Sequence, residues 1–341
     1  MENPEGPLRI LAIDGGGIRG IIPATVIAHI QGHLKRPVTR LFDALAGTST
    51  GGIIALGLGI GASRDEPRYS PMQLLELYLE HGEEIFPTAT DPGFGKPSLF
   101  GRGDSTGAIR RLFAPFGGTP STSGNARYEP TKLEALLKEY FEDARFDELT
   151  VEALITSFDM ASMQPVIFRS GVEPGTRQLV RDIARATSAA PTYFPPLELQ
   201  DADRASYLVD GGVWANNPSA LAYAAFSEPA RETVLVSLGT GHPRPAAPRP
   251  YAELITRAWP LVAGDILQVG MTGSGAGAHI LLTQLASRIP SLHYFRLDIE
   301  LTGGAALDDV SPANLKALQA VGAQLIEDEA AQLSELMALI A

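Results

Sequence analysis

The stretch LRILAIDGGGIRG, residues 8–20, carries the reading of the fold. Its first six residues are apolar apart from Arg9 and show no alternation between polar and apolar positions. That pattern suits a short strand buried on both faces, the kind found inside a parallel sheet covered by helices on each side. Asp14 and three glycines follow. Apolar residues then recur at 21, 22, 26, 27 and 30, a helical spacing. The stretch therefore predicts a strand, a tight glycine turn and a helix.

The same grammar returns downstream. Residues 41–46 predict a strand, GTSTGG (47–52) a turn, and residues 50–60 a helix. Helices are expected over 72–86, 133–141, 180–187 and 218–226, and strands over 151–158, 165–169, 207–209, 233–238 and 293–297. Residues 87–125 are rich in Gly, Pro, Ser and Thr and read as a long loop with one short helix at 109–113. Its Phe94, Leu99, Phe100, Phe113 and Phe116 would suit a lipid-facing flap as well as a plain surface loop. Strands and helices alternate with no break in composition and no internal repeat. The expectation is one α/β domain over 1–341, a three-layer sandwich with a mainly parallel central sheet. Residues 8–215 would hold the site, and a helix within 311–341 would pack on the body.

Composition narrows the function. The chain has 341 residues, a formal net charge of −12, 45% hydrophobic residues and no cysteine. It is too apolar for a disordered chain. Thiolate metal sites, disulfides and a cysteine nucleophile are excluded. The negative charge argues against a nucleic-acid partner. No H-E-x-x-H or similar spacing links the six histidines, so no metal and no cofactor is expected. The N-terminus lacks a secretory signal, and the uncharged stretches 44–63 and 266–287 carry too many glycines and polar residues to be membrane spans. They read as buried or site-lining segments in a cytoplasmic protein.

Three glycine turns could carry chemistry. Gly15, Gly17 and Gly20 satisfy G-x-G-x-x-G, a dinucleotide pattern, but no acidic residue ends a second strand about 20 residues on. The same turn could instead be an oxyanion hole, or a bare strand-to-helix connection. The second turn places Ser49 in G-x-S-x-G between a strand and a helix, the arrangement of a nucleophile elbow, with small residues at Gly47 and Gly51. Gly103-Asp104-Ser105-Thr106-Gly107 repeats that pattern inside the loop, without the flanking strand and helix. The third turn is Asp210-Gly211-Gly212. Asp14 and Asp210 share the same D-G-G context, so sequence grammar alone leaves the base undecided between them. A Ser–Asp–His order is also available, with His242 as the best triad partner ahead of His279 and His293.

The three turns together resemble the patatin-like phospholipase family: DGGGIRG (14–20), GTSTGG (47–52) and DGG (210–212) stand in that family's order. SAAPTYFPP (188–196), VWANNP (213–218) and VSLGTG (236–241) fit as well. The resemblance spans about residues 8–297. It implies a patatin-like fold and a lipid acyl hydrolase of the phospholipase A type. Ser49 would be the nucleophile and Asp210 the base of a dyad. The amides of Gly15, Gly16 and Gly17 would form the oxyanion hole. Asp14, Arg19, Gly20, Gly47, Gly51, Gly211 and Gly212 would support the motifs. It further implies transient, peripheral contact with a phospholipid membrane surface. It admits a homo-oligomer, a small-molecule nucleotide activator such as a cyclic dinucleotide, and a role in antiviral defence. The residues themselves also leave open a Ser-His-Asp esterase or thioesterase on soluble substrates, a non-catalytic scaffold, and a dinucleotide-binding protein using residues 15–20.

Overall fold

A computed structural model describes residues 6–86, 126–172, 177–200, 205–244, 263–303 and 306–341. The central sheet contains β1 (Leu8–Ile13), β2 (Ala44–Gly47), β3 (Glu152–Asp159), β4 (Gln164–Arg169), β5 (Leu197–Gln200), β6 (Ala205–Asp210), β7 (Thr233–Leu238) and β8 (Leu292–Leu297). Its order is β8-β7-β1-β2-β3-β6-β5, with β4 paired to β3 off that path. β8, β7, β1, β2 and β3 run parallel; β4 and β6 run antiparallel to β3. This is the mainly parallel sheet of an α/β sandwich.

β1 sits between β2 and β7, and its apolar run has no exposed residue because both faces are covered. Successive side chains serve different layers. Leu11 and Ile13 enter the larger core, with α1 (Ile21–Leu34), α2 (Thr50–Gly59), α3 (Pro71–Ile85), α4 (Thr131–Phe141) and α5 (Val180–Thr187). Leu8, Ile10 and Ala12 enter the smaller core, with α6 (Ser219–Phe226) and α7 (Ala263–Ala286). Period-two alternation thus survives as a choice between two cores.

Several expectations shift. β2 begins only at Ala44, because Val38–Leu41 turn into a short helix after Pro37. The single C-terminal helix is two, α8 (Pro312–Asp328) and α9 (Ala330–Ile340), broken at Glu329; α8 packs on α1. Strand β5 and the hairpin Gly61–Ser63 with Glu66–Pro67 had no clear periodicity and were not anticipated. The stretch 266–287 lies in α7 up to Ala286. Its inner side is buried at Met271 and Leu282, while Val269 and Ile280 face outward. Among the described residues no helix is long and apolar enough to cross a membrane. The loop at 87–125, with its short helix, its phenylalanines and Ser105, lies outside the described residues.

One feature of the sheet sets the site. β4 pairs with β3 from Leu154 to Asp159, which occupies one edge of β3. The opposite edge is therefore shared: β2 pairs with its first half, up to Ile155 opposite Gly47, and β6 with its second half, from Ser157 opposite Asp210. β2 runs parallel to β3 and β6 antiparallel, so their C-terminal ends point at each other. The partners of Gly47 and Asp210 lie two residue steps apart on β3, about 7 Å of strand, with Thr156 between them.

Candidate active site

Ser49 stands where β2 ends and α2 begins. Its backbone has φ 55° and ψ −125°, a conformation that costs a non-glycine residue energy and is held only by its surroundings. The surroundings are specific. The Ser49 amide donates to Thr187 Oγ1 at 2.8 Å, and that hydroxyl donates to the Thr156 carbonyl at 2.7 Å. Thr48 Oγ1 donates to the Ala215 carbonyl at 2.7 Å, and the Thr48 amide reaches the Ile13 carbonyl at 3.2 Å. The turn is also closely packed. A side-chain carbon on Gly47 would collide with the Gly51 carbonyl, and one on Gly51 with the carbonyls of Ile13 and Asp14. The small residues of the G-x-S-x-G pattern are thus a steric requirement of the turn.

Asp210 ends β6, and its amide is tied to the Ala189 carbonyl at 3.0 Å. Ser49 and Asp210 are 7% and 3% exposed and line one cleft. Its remaining wall is largely apolar, with Ile53, Tyr78, Ile85, Phe86, Leu133 and Phe194. Burial pushes the Asp210 carboxyl up to about 7; the Ser49 hydroxyl and the Gly212 amide, which donates at 2.7 Å, pull against that rise. Asp14, the other D-G-G aspartate, is not in this cleft. Arg296 grips it with two bonds, Nη1 to Oδ1 at 3.0 Å and Nη2 to Oδ2 at 2.7 Å. The two aspartates differ in what they face: Asp210 faces the serine and Asp14 faces an arginine.

The raised carboxyl has a consequence for stability. The folded state holds the Asp210 proton more tightly than the unfolded chain does. That stabilising effect is complete below about pH 4 and is lost as pH rises through about 7. Asp210→Asn, a neutral isostere, should therefore be more stable than the parent at pH 8 by roughly 1–3 kcal/mol, a difference that vanishes toward pH 4. Urea titrations at the two pH values measure this; an equal or lower stability at pH 8 would contradict it.

The glycine loop lies beside the serine. Gly17 has φ +57° and packs against the Leu307 carbonyl, which also accepts from the Ile18 amide at 2.9 Å. The Gly15 amide donates to the Asn216 carbonyl at 3.0 Å, so it is already engaged. Among the described residues no acceptor takes the amides of Gly16 and Gly17. Thr240 Oγ1 and Asn216 Nδ2 hold the Gly15 carbonyl at 2.8 and 3.3 Å, and Arg19 Nε reaches the Gly16 carbonyl at 3.4 Å. Side chains of Asn216, Thr240 and Thr50 fill the space against Gly15, Gly16 and Gly20. Gly211 packs on Thr156, and Gly212 opens a short helix to Ala215.

No histidine lines the cleft. His242 contacts Asp298 at 3.4 Å, His279 meets the Tyr294 hydroxyl at 3.2 Å, and His293 meets Glu232 at 2.6 Å. The geometry gives the triad alternative no support. Sequence reasoning passed over Thr187, Asn216, Thr240, Leu307 and Arg296. Asn216 and Thr240 stood in the flanking text of the motifs, but nothing in HYFRL marks Arg296 as buried.

Residues 11–223 match the family model for patatin-like phospholipases. Patatin-like protein 2 of Oryza sativa subsp. indica is 30% identical, over 93% of this chain and 83% of its own length. Patatin-08 of Solanum tuberosum is 27% identical, over 95% of this chain and 84% of its own. Among solved structures, VipD from Legionella pneumophila aligns with a TM-score of 0.37 at 12% identity, covering 94% of this chain and 67% of that one. That last likeness is too loose to bear on individual residues.

Proposed function

Since the chain belongs to the patatin-like phospholipase family, we propose that it hydrolyses fatty acyl esters of phospholipids at a membrane surface, through Ser49 and Asp210. The observation that carries this reading is the meeting of a strained Ser49 with a buried, hydrogen-bonded Asp210 at the head of an apolar cleft. The apolar lining favours an acyl lipid over a soluble ester.

The chemistry follows from the positions. Ser49 Oγ attacks the ester carbonyl while Asp210 takes the hydroxyl proton. The carbonyl oxygen, now negative, is received by the Gly16 and Gly17 amides, which have no other acceptor and need no reorganisation. As the tetrahedral adduct collapses, the C–O bond to the alcohol breaks and Asp210 returns its proton to the leaving oxygen. Water then attacks the acyl-enzyme, Asp210 taking its proton, and the fatty acid and free Ser49 are released. An ordinary aspartate near pH 4 is a weak base for this task; burial brings Asp210 close to neutrality, where a general base is most effective.

A fluorophosphonate probe tests the assignment. The labelled peptide should contain Ser49, and Ser49→Ala should abolish labelling. The labelling rate should climb as pH rises through about 7, because only ionised Asp210 can accept the proton. A rate that is flat from pH 5 to 9, or a label on another serine, would defeat the dyad.

A further inference from the structure

Hydrolysis of an acyl-enzyme needs water, yet the wall of the catalytic cleft is largely apolar and the acyl chain would occupy it. A second cavity, of about 260 Å³, adjoins the cleft at Met271 and Leu307, which line both spaces. Its wall is polar, with Asn216, Thr240, Gln268, Thr272 and Asp298 among its residues, and its volume holds several waters. Thr272, Ala276 and His242 of that wall are exposed, so the cavity reaches the surface. A polar space open to solvent thus meets the apolar cleft beside the reacting groups.

Asn216 stands where they meet. It is 8% exposed, and its Oδ1 is buried with no hydrogen-bond donor among the described residues. The other end of the amide sets its orientation: Nδ2 donates to the Gly15 carbonyl at 3.3 Å, which leaves Oδ1 as the acceptor. A buried carbonyl oxygen without a donor is costly, and water is the donor that a polar cavity supplies. Oδ1 is also close to the base. A side-chain carbon placed on Gly212 would lie 3.1 Å from Asp210 Oδ1, 3.3 Å from Asn216 Oδ1 and 3.5 Å from Met271 Cε. The carboxylate oxygen, the orphaned amide oxygen and a residue shared by both spaces therefore surround one point. The two oxygens are within the span of one bridging water.

We infer that Asn216 is a further catalytic residue, which binds and aims the water that hydrolyses the acyl-enzyme, and that the polar cavity supplies this water. The inference rests on the proposed reaction, whose second half it completes. The water donates one hydrogen to Asn216 Oδ1 and the other to Asp210, which turns a lone pair toward the acyl carbon on Ser49. As the new C–O bond forms, Asp210 takes the second proton. The tetrahedral adduct then breaks its bond to Ser49 Oγ, and the proton passes from Asp210 to that oxygen. The fatty acid leaves with the hydrogen that Asn216 held. Acylation consumes no water, so Asn216 acts on one half of the cycle.

The test separates the two halves in the full chain. Asn216→Leu keeps the approximate size of the side chain and the backbone carbonyl that takes the Gly15 amide, while Thr240 still holds the Gly15 carbonyl. Only the side-chain acceptor and its Nδ2 donor are lost. Mixed with p-nitrophenyl butyrate in a stopped-flow cell, the variant should release p-nitrophenolate in a burst matching the active sites. It should then turn over about tenfold or more slowly than the parent, the scale of one lost buried hydrogen bond. Mass spectrometry of the quenched reaction should find butyrylated Ser49 accumulating. Labelling by a fluorophosphonate needs Ser49 but no hydrolytic water, and its rate should fall far less than turnover does. Gly275→Leu, on α7, should give the same pattern by filling the cavity. Its first side-chain carbon would meet nothing nearer than Asn217 at 3.8 Å, so it keeps the test decisive if Asn216→Leu fails to fold. Unchanged turnover without a burst in both variants overturns the inference. So does an equal fall in labelling and turnover with no acyl-enzyme, which would mean that Asn216 only braces the glycine loop. A label on a serine other than Ser49 would instead strike at the proposed reaction and take the inference with it.

Discussion

Ser49→Ala and Asp210→Asn should each lower the hydrolysis of a p-nitrophenyl acyl ester by about 10⁴-fold or more, the scale seen when a nucleophile or its base is removed from a serine hydrolase. The two losses should not add. In the proposed reaction Ser49 supplies the attacking oxygen and Asp210 accepts its proton in the same step, so the double variant should fall to about the level of the worse single one. What remains should come from the Gly16 and Gly17 amides and from binding. The asparagine is a sharp probe because its carbonyl can keep the bond from the Gly212 amide while an NH2 donor replaces the second carboxylate oxygen, so no group is left to take the serine proton. Two outcomes would redirect the assignment. A comparable loss in His242→Ala, with Asp210→Asn near full activity, would bring back a triad. A comparable loss in Ser105→Ala, with Ser49→Ala active, would mean that the other G-x-S-x-G holds the nucleophile.

Arg296→Leu should destabilise the fold by about 3–5 kcal/mol at pH 8, because it leaves Asp14 buried, ionised and unpaired. Asp298 suffers less, since the Gly241 and Ile299 amides each reach it at 3.0 Å and His242 lies beside it. The direction of the pH dependence follows from Asp14. Burial already lifts its carboxyl to about 6 against the pull of Arg296. Without Arg296 the carboxyl rises further, the folded state takes up a proton more readily, and the penalty shrinks as pH falls. Urea denaturation at pH 8 and pH 5 should therefore give a larger loss at the higher pH. Asp14→Asn in the Arg296→Leu background should recover much of it, since Asp14 is then neutral and the remaining carboxylate, Asp298, keeps the Gly241 and Ile299 amides. A loss below about 1 kcal/mol, equal at both pH values, would mean that Arg296 does not neutralise Asp14.

The legible parts of this chain were those governed by neighbours in sequence. An unbroken apolar run such as Leu8–Ile13 needs helices on both faces. A serine held at positive φ between a strand and a helix needs small residues at Gly47 and Gly51. These demands are steric, set by the turn itself at Gly47 and by the neighbouring β1 carbonyls at Gly51, so they leave a readable pattern of glycine, serine and apolar residues. The resemblance to a family rested on three such patterns in order.

The pairing of Ser49 with Asp210 rather than Asp14 was not legible, because both aspartates end a strand and precede two glycines. It follows from strand pairing. β2 and β6 share one edge of β3 and meet end to end, which joins positions 49 and 210. The same holds for Arg296, an alternating strand residue whose partner Asp14 lies 282 positions away. Chain-local sterics wrote the turns into the sequence. Long-range pairing and burial, which depend on every element packing at once, set Asp210 rather than Asp14 beside Ser49 and raised its pKa.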